Sequence, residues 1–76
     1  MNFSRRDDQG GIILIDRVRI ADDRTLSSRT DAILTEDYNG TESRRRGKWK
    51  RLGRVKADRI ESVRAKLVAD GYKVTR

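Results

Sequence analysis

The sequence predicts a small α+β fold, in which an antiparallel β-sheet of three or four strands packs against one C-terminal helix. The predicted order is β-β-β-α, with enough chain after the helix for a final short strand. Three observations predict this class: an alternating run rich in β-branched residues, an Asn-Gly turn signal, and a late segment whose apolar residues recur every three or four positions. A sheet and a helix of this kind bury one face each in two layers.

The length and the composition allow one small domain with a limited core. The chain has 76 residues, of which 34% are hydrophobic and 41% are charged. A chain of this size buries only roughly 60% of the surface that its unfolded form exposes. Residues 1–10 are polar apart from Phe3, and we expect them to form a flexible N-terminal tail. Residues 11–76 are expected to form the single α+β domain.

The first predicted strand covers residues 11–20, where apolar side chains alternate with Arg17 and Arg19. The apolar side chains of one face are Ile12, Leu14, Val18 and Ile20. Asp16 falls on the same face, which predicts a bulge or a change of register there. The polar stretch at residues 21–30 predicts a loop, because Asp, Ser and Thr side chains offer the backbone local hydrogen bonds.

A β-hairpin is predicted next, with a short strand at residues 31–38 before the turn. Asn39-Gly40 fits a two-residue type I′ turn, since both residues tolerate positive φ. Such a turn places Ile33 opposite Arg46 and makes the basic segment the returning strand in the middle of the sheet. The same turn sets two acidic residues opposite each other, so a longer loop around residues 37–44 is the alternative.

The helix is predicted at residues 58–70 from the period of its apolar residues. The predicted buried stripe consists of Ile60, Val63, Leu67 and Val68. Asp58, with Glu61 three residues later, resembles a capping box, and Gly71 is placed to end the helix in the left-handed conformation. Residues 72–76 alternate in character and predict the final short strand.

The positive charge is concentrated in one segment. The net charge is +7, but residues 1–43 carry −3 and residues 44–76 carry +10. Residues 44–59 hold nine of the nineteen basic residues, one acidic residue and the only tryptophan. Clustered charge creates a local potential that attracts polyanions, whereas scattered charges are mostly screened within about 8 to 10 Å.

The residue types argue against an enzyme. The chain contains no histidine and no cysteine, which removes the commonest general base, the commonest nitrogen metal ligand and the thiolate nucleophile. Its adjacent acidic pairs are expected to be solvated or turn-forming, because neighbouring residues of a strand point to opposite faces. Its glycines lack the spacing of a phosphate-binding loop. We therefore expect no enzymatic activity, no cofactor and no metal site.

The favoured interpretation is a small basic nucleic-acid-binding protein that mainly contacts the phosphate backbone of DNA or RNA. Arginines outnumber lysines six to three in residues 44–59, which favours two-point contacts to phosphate. The predicted nucleic-acid-binding residues are Arg44, Arg45, Arg46, Lys48, Trp49, Lys50, Arg51, Arg54 and Lys56. Two roles stay open for Trp49, as a stacking platform for an unpaired base or as a core residue. Arg17 and Arg19 either extend the basic surface or form the solvated side of their strand.

Two alternatives need no nucleic acid. In one, the protein is an interaction protein or inhibitor that docks its basic face on an acidic protein partner, such as a virus-encoded regulator of a host complex, since arginine forks also suit carboxylates. In the other, the arginines only protect a solvated edge strand from aggregation. The apolar run at residues 12–15 is too short for a signal peptide or a transmembrane helix, so we expect a cytoplasmic protein with no membrane partner. Exposed strand edges leave a homodimer open.

Overall fold

The structure of the chain is a computed structural model that describes residues 1–36 and 41–75, and it has the predicted α+β class. Its described part contains one antiparallel sheet of six strands, where three or four were predicted, and one α-helix. The strands are β1 (Asn2–Gln9), β2 (Ile12–Ile20), β3 (Thr25–Glu36), β4 (Thr41–Arg45), β5 (Lys50–Arg54) and β6 (Lys73–Val74), and helix α1 spans Ile60–Ala69. Their spatial order is β4-β3-β2-β1-β6, and β5 also pairs with β3.

The N-terminal residues form a strand, so the prediction of a flexible tail at residues 1–10 is wrong. β1 pairs with β2 along its whole length. Phe3 provides the physical reason: its side chain is only 1% exposed, and it lies directly opposite Val18 in the core. Burial of an aromatic side chain removes on the order of 150 to 250 Å² from water. This gain outweighs the polar character of the neighbouring residues.

A tight turn at Gly10-Gly11 sets the register of the first hairpin. The two glycines have φ values of +33° and +83°, as a type I′ turn requires at its central residues. The pairing of β1 with β2 continues through Asp16, so the predicted bulge is wrong. The Asp16 carboxylate is tolerated on the apolar face because Arg5 and the Thr30 hydroxyl donate hydrogen bonds to it, at 3.1 and 2.8 Å.

β3 is one strand of twelve residues, where the sequence predicted a loop at residues 21–30 and a short strand after it. The loop is limited to Ala21–Arg24, between the ends of β2 and β3. The Asp23 carboxylate accepts a hydrogen bond of 3.0 Å from the backbone N–H of Thr25, which is the local bonding that polar residues favour. The ladder with β2 uses the polar residues that follow, so the predicted loop was too long.

The basic segment folds as two short strands along one edge of β3, and not as one strand in the middle of the sheet. β4 pairs with the C-terminal part of β3 and β5 pairs with its N-terminal part. β2 occupies the opposite edge of β3. Residues 46–49 connect the two strands.

The observed hairpin register differs from the predicted one. Ile33 lies opposite Arg44, and not opposite Arg46, so four residues connect β3 to β4. This register pairs Glu42 with Thr35 and avoids the two opposed acidic residues of the tighter turn. The predicted turn at Asn39-Gly40 itself lies outside the described residues.

The helix ends as predicted but begins later. A 3₁₀ turn at Ala57–Arg59 precedes α1, which begins at Ile60. The predicted cap at Asp58 is wrong, because no side-chain hydrogen bond caps either of these described turns. At the other end Gly71 has a φ of +95°, and the amides of Gly71 and Tyr72 bond to carbonyl groups of the last turn in a Schellman arrangement. The chain then returns, and β6 pairs with β1 as the predicted final strand.

The core lies between α1 and one face of the sheet, which we call the helix face. Its buried residues are Phe3, Val18 and Ile20, and Leu26, Val63, Leu67 and Tyr72 pack against them. The predicted helical stripe supplies two of these residues, whereas Val68 is 52% exposed. No helix of the described residues covers the opposite face, which we call the open face.

We expect Phe3→Ala to lower the free energy of unfolding by about 3 to 5 kcal/mol, because no other side chain of the core fills its volume. A domain of this size has little more stability than that, so the cooperative urea transition, followed by circular dichroism, should be largely lost. Val68→Ala truncates an exposed apolar residue and serves as the control, with a change within about 0.5 kcal/mol. A wild-type transition midpoint for Phe3→Ala would contradict the structural role of β1.

Candidate nucleic-acid interface

The open face carries arginine side chains from two neighbouring strands. Arg17 of β2 and Arg29 of β3 are directly paired in the register, and Arg19 lies two positions along, opposite Ser27. Residues that are directly opposite in an antiparallel pair project from the same face and lie close together. The register therefore gathers three guanidinium groups on one side of the sheet.

Trp49 lies against two of these arginines. The guanidinium carbons of Arg19 and Arg29 are 4.3 and 4.7 Å from the centroid of the indole ring, within the distance of a cation–π interaction. The indole is half-buried and does not belong to the core cluster. The core role that the sequence left open is therefore wrong. We call Arg17, Arg19, Arg29 and Trp49 the arginine–tryptophan cluster.

A buried carboxylate, Asp31, holds this cluster together. Its oxygens accept hydrogen bonds from Nε of Arg17 at 2.9 Å and from the backbone N–H of Gly47 at 3.0 Å, and a terminal nitrogen of Arg29 lies 3.5 Å away. Burial acts to raise the pKa of Asp31, but the hydrogen bonds from Gly47 and Arg17 and the charges of both arginines outweigh it, so the pKa lies below its usual value. Asp31 is therefore an anion at neutral pH.

Gly47 brings the connection between β4 and β5 into contact with β3. A Cβ atom at this position would overlap the carbonyl oxygen of Thr30, so the close approach requires glycine. The hydrogen bond from its N–H to Asp31 holds the connection in place. Trp49, two residues later, is thereby placed over the arginines.

The cluster carries more positive charge than Asp31 neutralises. In residues 1–36 and 41–75 no carboxylate forms an ion pair with Arg19, whose side chain contacts Trp49. Among the described residues, Nε of Arg29 is the one buried side-chain nitrogen or oxygen without a hydrogen-bond partner. A desolvated donor of this kind costs about 1 to 3 kcal/mol, and more when the group is charged. The open face therefore carries positive charge that the described carboxylates only partly compensate.

Two cavities adjoin the cluster, and both are lined by Arg17 and Arg29. The larger has a volume of about 320 Å³. Its other polar and aromatic lining residues are Asn2, Arg19, Trp49 and Thr75. The smaller has a volume of about 140 Å³ and is bordered by Asp31 and by the three consecutive arginines Arg44, Arg45 and Arg46.

The structure brings only part of the predicted basic surface to the open face. The residues that lie opposite open-face positions of β3 are Arg44, Arg51 and Arg54. Those that lie opposite helix-face positions are Arg45 and Lys50. Outside the strands are Arg46, Lys48 and Lys56. All eight basic side chains are exposed, so they are accessible to a partner from more than one side.

The sequence pointed to Trp49 but not to two other residues of the site, Arg29 and Asp31. Arg29 fell in a segment that was predicted to be a loop, and Asp31 was treated only as a hairpin partner of the basic strand. The available signal was the period-two alternation that places Arg29 and Asp31 on one face if the strand begins at Thr25. Arg17 and Arg19 were predicted as one possible extension of the surface; the structure places Arg19 against Trp49, and Arg17 lines the same cavity.

No protein-family model, curated protein or solved structure matches this chain. In the part of the chain that the structure describes, no three histidine, cysteine or acidic side chains group as they would around a metal ion. The described helices also include none with the length and the hydropathy to cross a membrane.

We expect Asp31→Asn to lower the free energy of unfolding near pH 7 by about 1 to 3 kcal/mol, because the amide loses the charge opposite Arg17 and Arg29. The native pKa of Asp31 lies below its value in the unfolded chain. Its ionised form therefore stabilises the fold above the unfolded pKa of about 4, and this contribution is lost as the pH falls through the native pKa. Urea unfolding at several pH values should show the two proteins converging in acid.

Asp58→Asn is the matched control, since Asp58 is an exposed carboxylate outside the cluster. Its stability should stay within about 0.5 kcal/mol of wild type. A difference between wild type and Asp31→Asn that stays constant or grows in acid would contradict the role assigned to this carboxylate.

Proposed function

We propose that this protein binds nucleic acid, DNA or RNA, through the open face and catalyses no reaction. The observation that supports the proposal is the excess positive charge of the arginine–tryptophan cluster, next to the exposed basic edge that β4 and β5 form. Binding of phosphates to such a surface releases condensed counter-ions, which drives association. A cytoplasmic location without a membrane partner is part of the same proposal.

The cluster is suited to phosphate because two of its arginines are already restrained. Arginine side chains lose considerable rotamer entropy when they bind a ligand. Contact with Trp49 limits the conformations of Arg19 and Arg29 before any ligand is present. Less entropy is then lost on binding, and the guanidinium forks still supply paired N–H donors for phosphate oxygens.

The distribution of charge favours a partner with repeating negative charge. Exposed arginines and lysines extend along the edge from Arg44 to Lys56, beyond the reach of the cluster itself. A phosphate backbone offers one charge per nucleotide along such an edge. A homodimer, where it forms, would double this surface.

An acidic protein surface is the second candidate. The observation in its favour is Asp31, since the same arginines already bind one carboxylate of this chain. In that case the protein acts as an adaptor or inhibitor of its partner. We place it second because one acidic side chain is enough to engage the cluster. An acidic partner therefore does not explain the long basic edge.

Fluorescence anisotropy of labelled single-stranded and duplex oligonucleotides, measured at several salt concentrations, tests the proposal. The logarithm of the binding constant should fall linearly with the logarithm of the salt concentration. Joint replacement of Arg44→Ala and Arg51→Ala should weaken binding and make the slope shallower by about 1 to 2, because two open-face charges are lost. Arg64→Ala with Lys66→Ala removes the same charge from exposed positions of α1 and should leave the binding constant within about twofold, apart from the general effect of net charge.

Absence of binding to every oligonucleotide near about 50 mM salt would contradict the proposal. Equal losses in the two double variants would show that the open face is not the binding surface. Polyglutamate is the competitor that separates the candidates: tight binding of polyglutamate by a protein that does not bind nucleic acid would support the acidic partner instead.

A further inference from the structure

We propose that the larger cavity of the open face is a nucleotide subsite, which takes one nucleotide with a terminal phosphate monoester. The nucleotide is either free or the end of a nucleic acid strand. The inference rests on the proposed function, whose binding surface it continues, and it adds a ligand class that the basic edge alone does not specify.

The size and the lining of the cavity fit one nucleotide. Its volume of about 320 Å³ lies at the lower end of the range for small-molecule sites, which is roughly 300 to 1,000 Å³. Such sites combine apolar or aromatic walls with a few polar groups that orient the ligand. Here Trp49 supplies the aromatic wall, and the other residues are arginine, asparagine and threonine besides two core residues, Phe3 and Val18.

The charge of the cavity favours a phosphate monoester over a diester. Three arginines of the cluster line it, and Asp31 neutralises one of them from the side of the smaller cavity. About two positive charges remain. A phosphate monoester carries about −1.5 to −2 at neutral pH, whereas an internal phosphodiester carries one negative charge. The terminal phosphate is therefore the better match.

Arg29 adds an energetic reason for an anion at this place. Its side chain is 21% exposed, and its Nε has no hydrogen-bond partner among the described residues. The charge is thus partly desolvated and only partly compensated by Asp31. A dianion in the adjoining cavity lowers this electrostatic cost without the need for a direct bond to Nε.

Two further lining residues of the cavity, Asn2 and Thr75, offer groups that suit a base. Asn2 lies opposite Arg19 in the register, and the backbone N–H of Thr75 donates a 2.8 Å hydrogen bond to the Asn2 carbonyl. Both residues are exposed and line the cavity, so they supply an amide and a hydroxyl there. Both groups donate and accept hydrogen bonds, as the edge of a base requires, and a base that stacks on Trp49 or on its arginines gains further contact.

Trp49 is the only tryptophan of the chain, so its fluorescence, excited at the red edge of the indole absorption, reports on the cavity. Wild-type protein is titrated with adenosine 5′-monophosphate, with adenosine and with inorganic phosphate. We expect the monophosphate to change the fluorescence with a Kd at least about tenfold below that of adenosine or phosphate, because each of these lacks one half of the contacts.

Arg19→Ala tests the contribution of the cluster. Its side chain is exposed, so the urea midpoint should stay close to that of wild type, while the affinity for the monophosphate falls about tenfold or more. The affinity of Arg19→Lys for the monophosphate should lie between those of wild type and Arg19→Ala, because lysine keeps the charge but lacks the paired donors of the guanidinium group. Arg64→Ala on α1 is the matched control and should leave the Kd within about twofold, since its charge lies outside the cluster.

Oligonucleotides of one sequence, with and without a 5′-phosphate, identify the source of the nucleotide. If the 5′-phosphate raises the affinity of the oligonucleotide about tenfold, the natural ligand is the end of a strand. If only the free monophosphate binds in the cavity, the natural ligand is a free nucleotide. Two results would overturn the subsite even if oligonucleotides still bind in the salt titration. One is that adenosine monophosphate binds no more tightly than inorganic phosphate, and the other is that Arg19→Ala binds adenosine monophosphate as tightly as wild type does. A short polyglutamate peptide that matches the monophosphate would also overturn it. Loss of oligonucleotide binding with the monophosphate retained would contradict the nucleic-acid proposal and leave the subsite supported.

Discussion

The charge of Asp31 is the interaction on which the open face depends. It joins β2 through Arg17 and the connection between β4 and β5 through Gly47. A buried ion pair often contributes little net stability, because desolvation offsets the attraction, whereas removal of one partner is costly. The carboxylate is therefore best understood as a positioning group. It allows Arg17 and Arg29 to lie side by side, and it holds the segment that carries Trp49 against β3.

The two faces of the sheet are stabilised in different ways. The helix face has a core of a few apolar side chains around Phe3, which is as much as a chain with 34% hydrophobic residues supports. The open face has no comparable apolar cluster within the described residues, and there Arg19 and Arg29 stack on the indole of Trp49. Polar packing of this kind depends on charge balance, so its stability depends on the ionisation of Asp31.

Local patterns predicted the elements that depend on local contacts. The helical period and the end at Gly71 follow from spacing within one segment, and the structure has both. Strands depend on residues far along the chain. Phe3 becomes a core residue only once β2 lies beside it, and Asp16 stays in register only because Arg5 and Thr30 approach it. The same holds for the site. The basic segment is evident in the sequence, but its partners on β2 and β3 can be identified only once the pairing register of the strands is known.

The edges of the sheet show how this chain limits association with other strands. On one side, β4 and β5 are each five residues long and are separated by the connection at residues 46–49, and a bulge interrupts the pairing of β5 with β3. On the other side, β6 pairs with β1 only at Phe3 and Ser4, and the edge beyond it carries charges of both signs. Neither edge presents a long, flat, uncharged row of free backbone groups, which is the template for strand addition and fibril growth. One face of the sheet can thus stay exposed to solvent while the edges of the sheet resist strand addition.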